Sequence, residues 1–279
     1  MNRNITDKLL ALLLMLAFLT ACSDDDTPGE DPAVTNQYLT GVTAEKHISK
    51  SEITDMVMDY AASQGINLPE ILISGLLCDV DVAAITYTTT GPDGASVTAS
   101  GVVAMPAGTT SYDHLLSIQH GTLDMEEAPS LQLFYYEMMP VVSGHVVVMA
   151  DYLGYGASQT ADRQHPYLHA RLTGTACADM IEAAREYLRS KSIAEENDAL
   201  ELLGYSQGGQ ATVATQLELE SRGWTGRIRK VWAGGGPYDL ETLLQAFLND
   251  DGIPDTYPRS GYLPYLIRGM AYGEGLTVS

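Results

Sequence analysis

Basic side chains are scarce in this chain: 15 lysines and arginines stand against 36 aspartates and glutamates, a formal net charge of −21. Nucleic acids and anionic lipid headgroups are bound by clustered Lys and Arg that neutralise phosphates, so the deficit argues against both as partners. Cysteine occurs only at Cys22, Cys78 and Cys177, too few for a disulfide framework. Cys78 and Cys177 read as small buried apolar residues, with their pairing left open. The apolar run Leu9 to Leu19 is too short to cross a bilayer comfortably. Neither an H-E-x-x-H motif nor Cys and His clustered at ligand spacing is present, so a metal site is not supported. No histidine follows His169; the six stand at positions 47, 114, 120, 145, 165 and 169. What the chain does have is 279 residues at 45% hydrophobic composition, enough for one substantial core, or one core with a small cap.

The N-terminus carries addressing information. Arg3 and Lys8 precede the apolar run, and small residues lead to Cys22. Leu19-Thr20-Ala21-Cys22 resembles a bacterial lipobox, which implies cleavage before Cys22, lipidation of its thiol and membrane attachment through acyl chains. Ser23-Asp24-Asp25-Asp26 resembles the acidic tag that sends some lipoproteins to the outer cell surface, although acidic runs also serve as plain solvated tether. The expected location is therefore the bacterial cell envelope, lipid-anchored at the outer membrane, with the face it occupies left open. Residues 1–22 form the signal peptide and lipobox. Residues 23–36 contain almost nothing apolar and read as a flexible tether.

A first helix is predicted from Glu52 to Ser63, opened by a Ser49/Glu52 capping box and closed by Gly65. Val80 to Thr90 and Val97 to Met105 are rich in β-branched residues and flank Gly91-Pro92-Asp93-Gly94, a hairpin. Short apolar runs follow at Leu115 to Gln119, Val146 to Ala150, Leu200 to Leu203 and Ile228 to Ala233, as in strands buried on both faces. Helical periodicity between them, at Thr173 to Ser190 and Gln207 to Ser221, supplies crossovers. The pattern predicts an α/β fold in three layers, with a mostly parallel sheet after an antiparallel hairpin. Functional residues are then sought just beyond the carboxyl ends of the strands.

Gly204-Tyr205-Ser206-Gln207-Gly208 lies at one such end. A G-x-S-x-G turn from strand to helix presents the serine hydroxyl as a nucleophile, and the following N–H, here that of Gln207, faces a developing oxyanion. The plainer alternative is a serine that caps the helix. After the Leu115 to Gln119 strand comes His120-Gly121-Thr122, placed to give the second oxyanion donor from the Thr122 N–H. His120 reads as a brace for that loop, because it lies far upstream of Ser206.

Together Gln119-His120-Gly121-Thr122, Asp151-Tyr152-Leu153-Gly154-Tyr155-Gly156, His165-Pro166-Tyr167, Gly204-Tyr205-Ser206-Gln207-Gly208-Gly209 and Gly234-Gly235-Gly236-Pro237-Tyr238-Asp239-Leu240 resemble the α/β-hydrolase superfamily, and within it the secretory-lipase-like esterases. The resemblance covers about Val80 to Leu240. It implies hydrolysis of carboxylic esters, small-molecule or lipid, by a Ser-acid-His triad without metal or organic cofactor. Ser206, Gln207 and Thr122 carry over. The histidine does not, since members of that superfamily place it after the serine. The chain is therefore expected to be the N-terminal part of such an enzyme, with residues 37–240 a partial catalytic domain and residues 241–279 the start of a cap, and to be nearly inactive as it stands. Asp239 is a candidate acid; its alternative is to cap a helix from Leu240 to Leu248. Asp151 reads as a loop-shaping residue, and His165 and His169 as hydrogen-bonded scaffolding. A non-catalytic lipoprotein that binds acyl or glycan ligands and a serine peptidase of the same fold are the alternative functions. Oligomeric state is not legible.

Overall fold

The computed structural model describes residues 36–63, 65–67, 69–249 and 259–276; Cys22 and the tether up to residue 35 lie outside them. The described residues form one compact unit. Among the described residues seven strands make the larger of two sheets: β1 (Leu39–Ile48), β2 (Val80–Thr90), β3 (Ser96–Pro106), β4 (Leu115–Gln119), β5 (Val146–Ala150), β6 (Leu200–Tyr205) and β7 (Ile228–Gly234). Their spatial order is β1-β2-β3-β5-β4-β6-β7. The first three strands and the β3–β5 pair are antiparallel, whereas β5, β4, β6 and β7 run parallel. The β2–β3 hairpin pairs Thr90 with Ser96 and closes through the Gly91 N–H on Ala95 O at 2.8 Å.

Every residue of β4 and β5 is buried, which is why these strands read as unbroken apolar runs. Alternation still sorts their side chains to two faces. Val146, Val148 and Ala150 join a core with Leu172, Ala176, Met180 and Leu219, under helices α3 (Ala170–Ser190) and α4 (Gln207–Ser221). Val147 and Met149 join Ile53, Val82, Val102 and Ile118 on the opposite face, under α1 (Lys50–Ser63). Helices on either side of the sheet cover these two apolar faces. The capping box forms as expected: Ser49 N–H donates to Glu52 Oε2 at 2.8 Å and Glu52 N–H to Ser49 Oγ at 3.2 Å.

Several elements have no counterpart in the sequence pattern. Strand β1 pairs along β2 through two irregularities and exposes most of its residues; an edge strand wetted on both faces has no hydrophobic alternation to reveal it. Helix α2 (Glu70–Leu76) is short and leaves Ile71 and Leu76 exposed. The start of β1 is held by buried Glu186 of α3, whose carboxylate accepts the N–H groups of Gln37, Tyr38 and Leu39 at 2.7, 3.0 and 2.6 Å. Among the described residues no helix is long and apolar enough to cross a membrane. Cys78 and Cys177 are both free thiols, Cys177 buried in the core with its pKa pushed up to about 12 by burial.

Candidate active site

Strand β6 ends at Tyr205 and α4 starts at Gln207, leaving Ser206 to make the whole turn with φ 59° and ψ −123°. A non-glycine residue rarely takes such a φ, and the strain persists only where the surroundings enforce it. Here the enforcement is visible. Ser206 N–H donates to Gly234 O on β7 at 2.9 Å, and its carbonyl accepts the N–H of Gly209 at 3.0 Å. A methyl group on Gly204 would overlap Gly208 O, one on Gly208 would overlap Gln119 O, and one on Gly209 would overlap Gly234 O. Three backbones therefore converge on the serine at distances that only glycine permits. The Ser206 hydroxyl makes no capping bond to α4, so the capping alternative does not describe its geometry.

The loop after β4 passes beside this turn, with a methyl on Gly121 lying 3.7 Å from Tyr205 O. Gln119 anchors it: Thr212 Oγ1 of α4 donates to its Oε1 at 2.8 Å, while its Nε2 donates to Ser117 Oγ at 2.8 Å. His120 is fully buried and stacked on Tyr152 at 4.0 Å between centroids, with Nδ1 2.7 Å from Gly121 O. Burial pushes its pKa down to about 4. A neutral ring packed between backbone carbonyls braces the loop, as its position upstream of Ser206 led us to expect. Thr122 Oγ1 and Tyr167 OH lie 2.9 Å apart.

A cavity of about 250 Å³ opens at Ser206, walled by Gln207, Tyr167, Leu168, Gly236, Leu243 and Leu266 among others. Thr122 is not on that wall and reaches it through Tyr167. A larger cavity, about 960 Å³, lies between α6 (Arg259–Gly273) and the loops carrying Asp124 and Arg163. It does not touch Ser206; the strained serine stands on the wall of the smaller cavity. Helix α6 closes over the serine side: Leu266 packs on Tyr167 and Leu168, and a methyl on Gly269 would overlap the Tyr167 N–H.

The remaining candidates are committed elsewhere. Asp239 is exposed and caps α5 (Leu240–Asn249), accepting Thr242 N–H at 3.0 Å and the Thr242 hydroxyl at 2.7 Å, which hold its carboxyl below the usual range. Asp151 is fully buried, with Ser100 Oγ, Ser130 N–H and Ser130 Oγ on its oxygens; burial raises its pKa against those bonds. His169 caps α3 through Leu172 N–H at 3.4 Å and meets Glu274 at 3.1 Å. His165 bridges Leu153 O at 2.6 Å and Gln207 Nε2 at 2.8 Å; burial pushes its pKa down to about 4. The sequence carries the His165-Pro166-Tyr167 motif but no signal that links it to Gln207, 42 positions away. Among the described residues no three His, Cys, Asp or Glu side chains group to hold a metal ion.

Residues 130–220, a stretch that includes Ser206 and Gln207, match the family model described as secretory lipase. No curated protein matches the sequence. Among solved structures, a Legionella pneumophila protein with a hydrolase assignment is 26% identical at a TM-score of 0.70, over 86% of this chain and 62% of that one. The rice cell wall degrading esterase LipA from Xanthomonas oryzae is 30% identical at a TM-score of 0.56, over 74% of this chain and 53% of that one. Candida antarctica lipase A, at 17% identity and a TM-score of 0.50, shares the fold over 84% of this chain and 49% of its own. The chain thus spans less than two thirds of the length of each. Its fold is that of the α/β-hydrolases, with secretory-lipase sequence at residues 130–220.

Proposed function

We propose that this chain carries the nucleophile and the oxyanion hole of a serine hydrolase of carboxylic esters. The observation that supports it most is Ser206, strained at φ 59°, uncapped and standing on a cavity wall. In this reading Ser206 Oγ attacks the acyl carbon and forms an acyl-enzyme that water later hydrolyses. The negative charge that develops on the carbonyl oxygen is held by the N–H groups of Gln207 and Thr122. As the first residue of α4, Gln207 has no intrahelical acceptor for its N–H. Asp239 remains the weaker candidate for the acid, since its oxygens already serve Thr242.

The base for Ser206 is not supplied by these 279 residues in this reading: all six histidines precede the serine, and His165 and His169 are bonded to backbone or carboxylate. The same observation favours the second reading, a cavity that binds acyl ligands without turning them over. Hydrolysis of p-nitrophenyl butyrate by the chain, with Ser206→Ala as control, separates the two. A slow rate that Ser206→Ala abolishes supports the nucleophile, because oxyanion stabilisation and binding outlast loss of a triad partner. Saturable binding of butyrate with no Ser206-dependent rate supports the second reading. For the N-terminus we propose lipidation at Cys22, residues 23–36 as tether and an outer-membrane location; a Cys22→Ser protein that stays in the membrane fraction would refute it.

A further inference from the structure

Gln207 and Thr122 come from different elements, α4 and the loop after β4, yet both are tied by their side chains to one tripeptide, His165-Pro166-Tyr167. The direction of the first tie is fixed by elementary hydrogen-bond logic. Leu153 O can only accept, so His165 Nδ1, 2.6 Å away, carries the proton. Nε2 of the neutral ring is then an acceptor, and the Gln207 amide must turn its Nε2 toward it at 2.8 Å. This leaves Gln207 Oε1 buried without a partner, so the amide orientation is dictated by His165 rather than by its own satisfaction. At the other end Tyr167 OH meets Thr122 Oγ1 at 2.9 Å.

The tripeptide between these ties has little freedom. Pro166 fixes its own φ, and Tyr167 N–H donates to His165 O at 2.8 Å, closing a three-residue turn. Both side chains are buried, and the α6 backbone at Gly269 lies directly on Tyr167. Gln210 Nε2 adds a further stitch to Leu168 O at 3.1 Å.

We infer that His165 and Tyr167 are positioning residues, and that His165-Pro166-Tyr167 is a bracket setting the distance between the Gln207 and Thr122 backbone N–H groups across Ser206. The inference rests on the ester-hydrolase reading for what the two N–H groups do, but the bracket can be tested without turnover. Backbone amide resonances of Thr122 and Gln207 are followed in the full chain in detergent micelles for the wild type, Tyr167→Phe, His165→Gln and His165→Asn. Tyr167→Phe removes only the hydroxyl and should move the Thr122 amide. His165→Gln places an acceptor near Nε2 and should keep the Gln207 amide near its wild-type position. His165→Asn places a donor near Nδ1, restores only the Leu153 bond and should move the Gln207 amide. A residue that merely braces its own loop gives the opposite order, with His165→Asn the better replacement.

In parallel, the Ser206-dependent hydrolysis of p-nitrophenyl butyrate should fall about tenfold in kcat for Tyr167→Phe and His165→Asn, with KM within about twofold, as expected for a misplaced oxyanion donor. Thr122 and Gln207 amides that stay put in all three variants would overturn the bracket, and if the His165 variants do not fold, Tyr167→Phe decides through Thr122. A hydrolysis rate that Ser206→Ala leaves unchanged would instead sink the ester-hydrolase reading, with the amide shifts still deciding the bracket.

Discussion

Replacing Ser206 with glycine should stabilise the protein. Its φ of 59° with ψ −123° belongs to the sparsely populated conformations that cost about 1–3 kcal/mol for a residue with a Cβ. Glycine removes that cost but adds freedom to the unfolded chain, an opposing effect of roughly 0.5–1 kcal/mol. The hydroxyl makes no helix-capping bond, so its loss subtracts little, and the net gain is about 1 kcal/mol. For a domain of this size that is a rise in Tm of roughly 2–4 °C. Ser206→Ala is the reference, because it deletes the hydroxyl and keeps the Cβ strain. Thermal melts of the three proteins at one pH and concentration give the comparison. A glycine variant that melts at or below the alanine variant would mean that the turn is not strained as described, and the enforcement by Gly204, Gly208 and Gly209 would lose its meaning.

Gly208→Ala should cost about 3 kcal/mol or more, since its methyl would overlap the Gln119 carbonyl between two core elements; a loss below about 1 kcal/mol in urea unfolding would show that the sheet and α4 can part there easily. Asp239→Ala should lower Tm while Asp239→Asn, which still caps, stays near the wild type; equal losses of Ser206-dependent rate in both, without a change in Tm, would move Asp239 to the acid. His120 and His165 are held down to about 4, so below about pH 6.5 the unfolded chain takes up protons that the native one refuses. Stability from these rings is therefore full above pH 6.5 and falls toward pH 4, by up to about 1.4 kcal/mol per unit for each, while buried Asp151, with its raised pKa, acts in the opposite sense. His120→Asn should flatten the decline by one ring's share, and an unchanged slope in denaturant titrations at pH 6.5, 5.5 and 4.5 would contradict that assignment.

How much of this was legible beforehand depended on where the information sits. Strands β4 and β5 were readable to the residue because burial on both faces forces an uninterrupted apolar run. Strand β1 was not, since an exposed edge asks nothing of its side chains. At the site, Ser206 was readable because close approach of three backbones demands glycine at fixed offsets around it. Asp239 as a cap was readable from one turn of local sequence. The contacts of His165 with Gln207 and of Tyr167 with Thr122 were not, because each joins residues more than forty positions apart and no periodicity records such a meeting.

The carboxylate of Glu186 that gathers the N–H groups of Gln37, Tyr38 and Leu39 also decides how a mechanical load would enter the fold. A pull applied through the residues before Asn36 would, without it, fall on the ladder between β1 and β2 and open it one rung at a time, as a zipper opens. With the clamp in place the first resistance is three charge-assisted bonds anchored on α3, a helix packed into the main core. The force is handed to the body's interior before it reaches its weakest border. Stretching single molecules from that end should therefore show a higher first rupture for the wild type than for Glu186→Ala, with later steps unchanged.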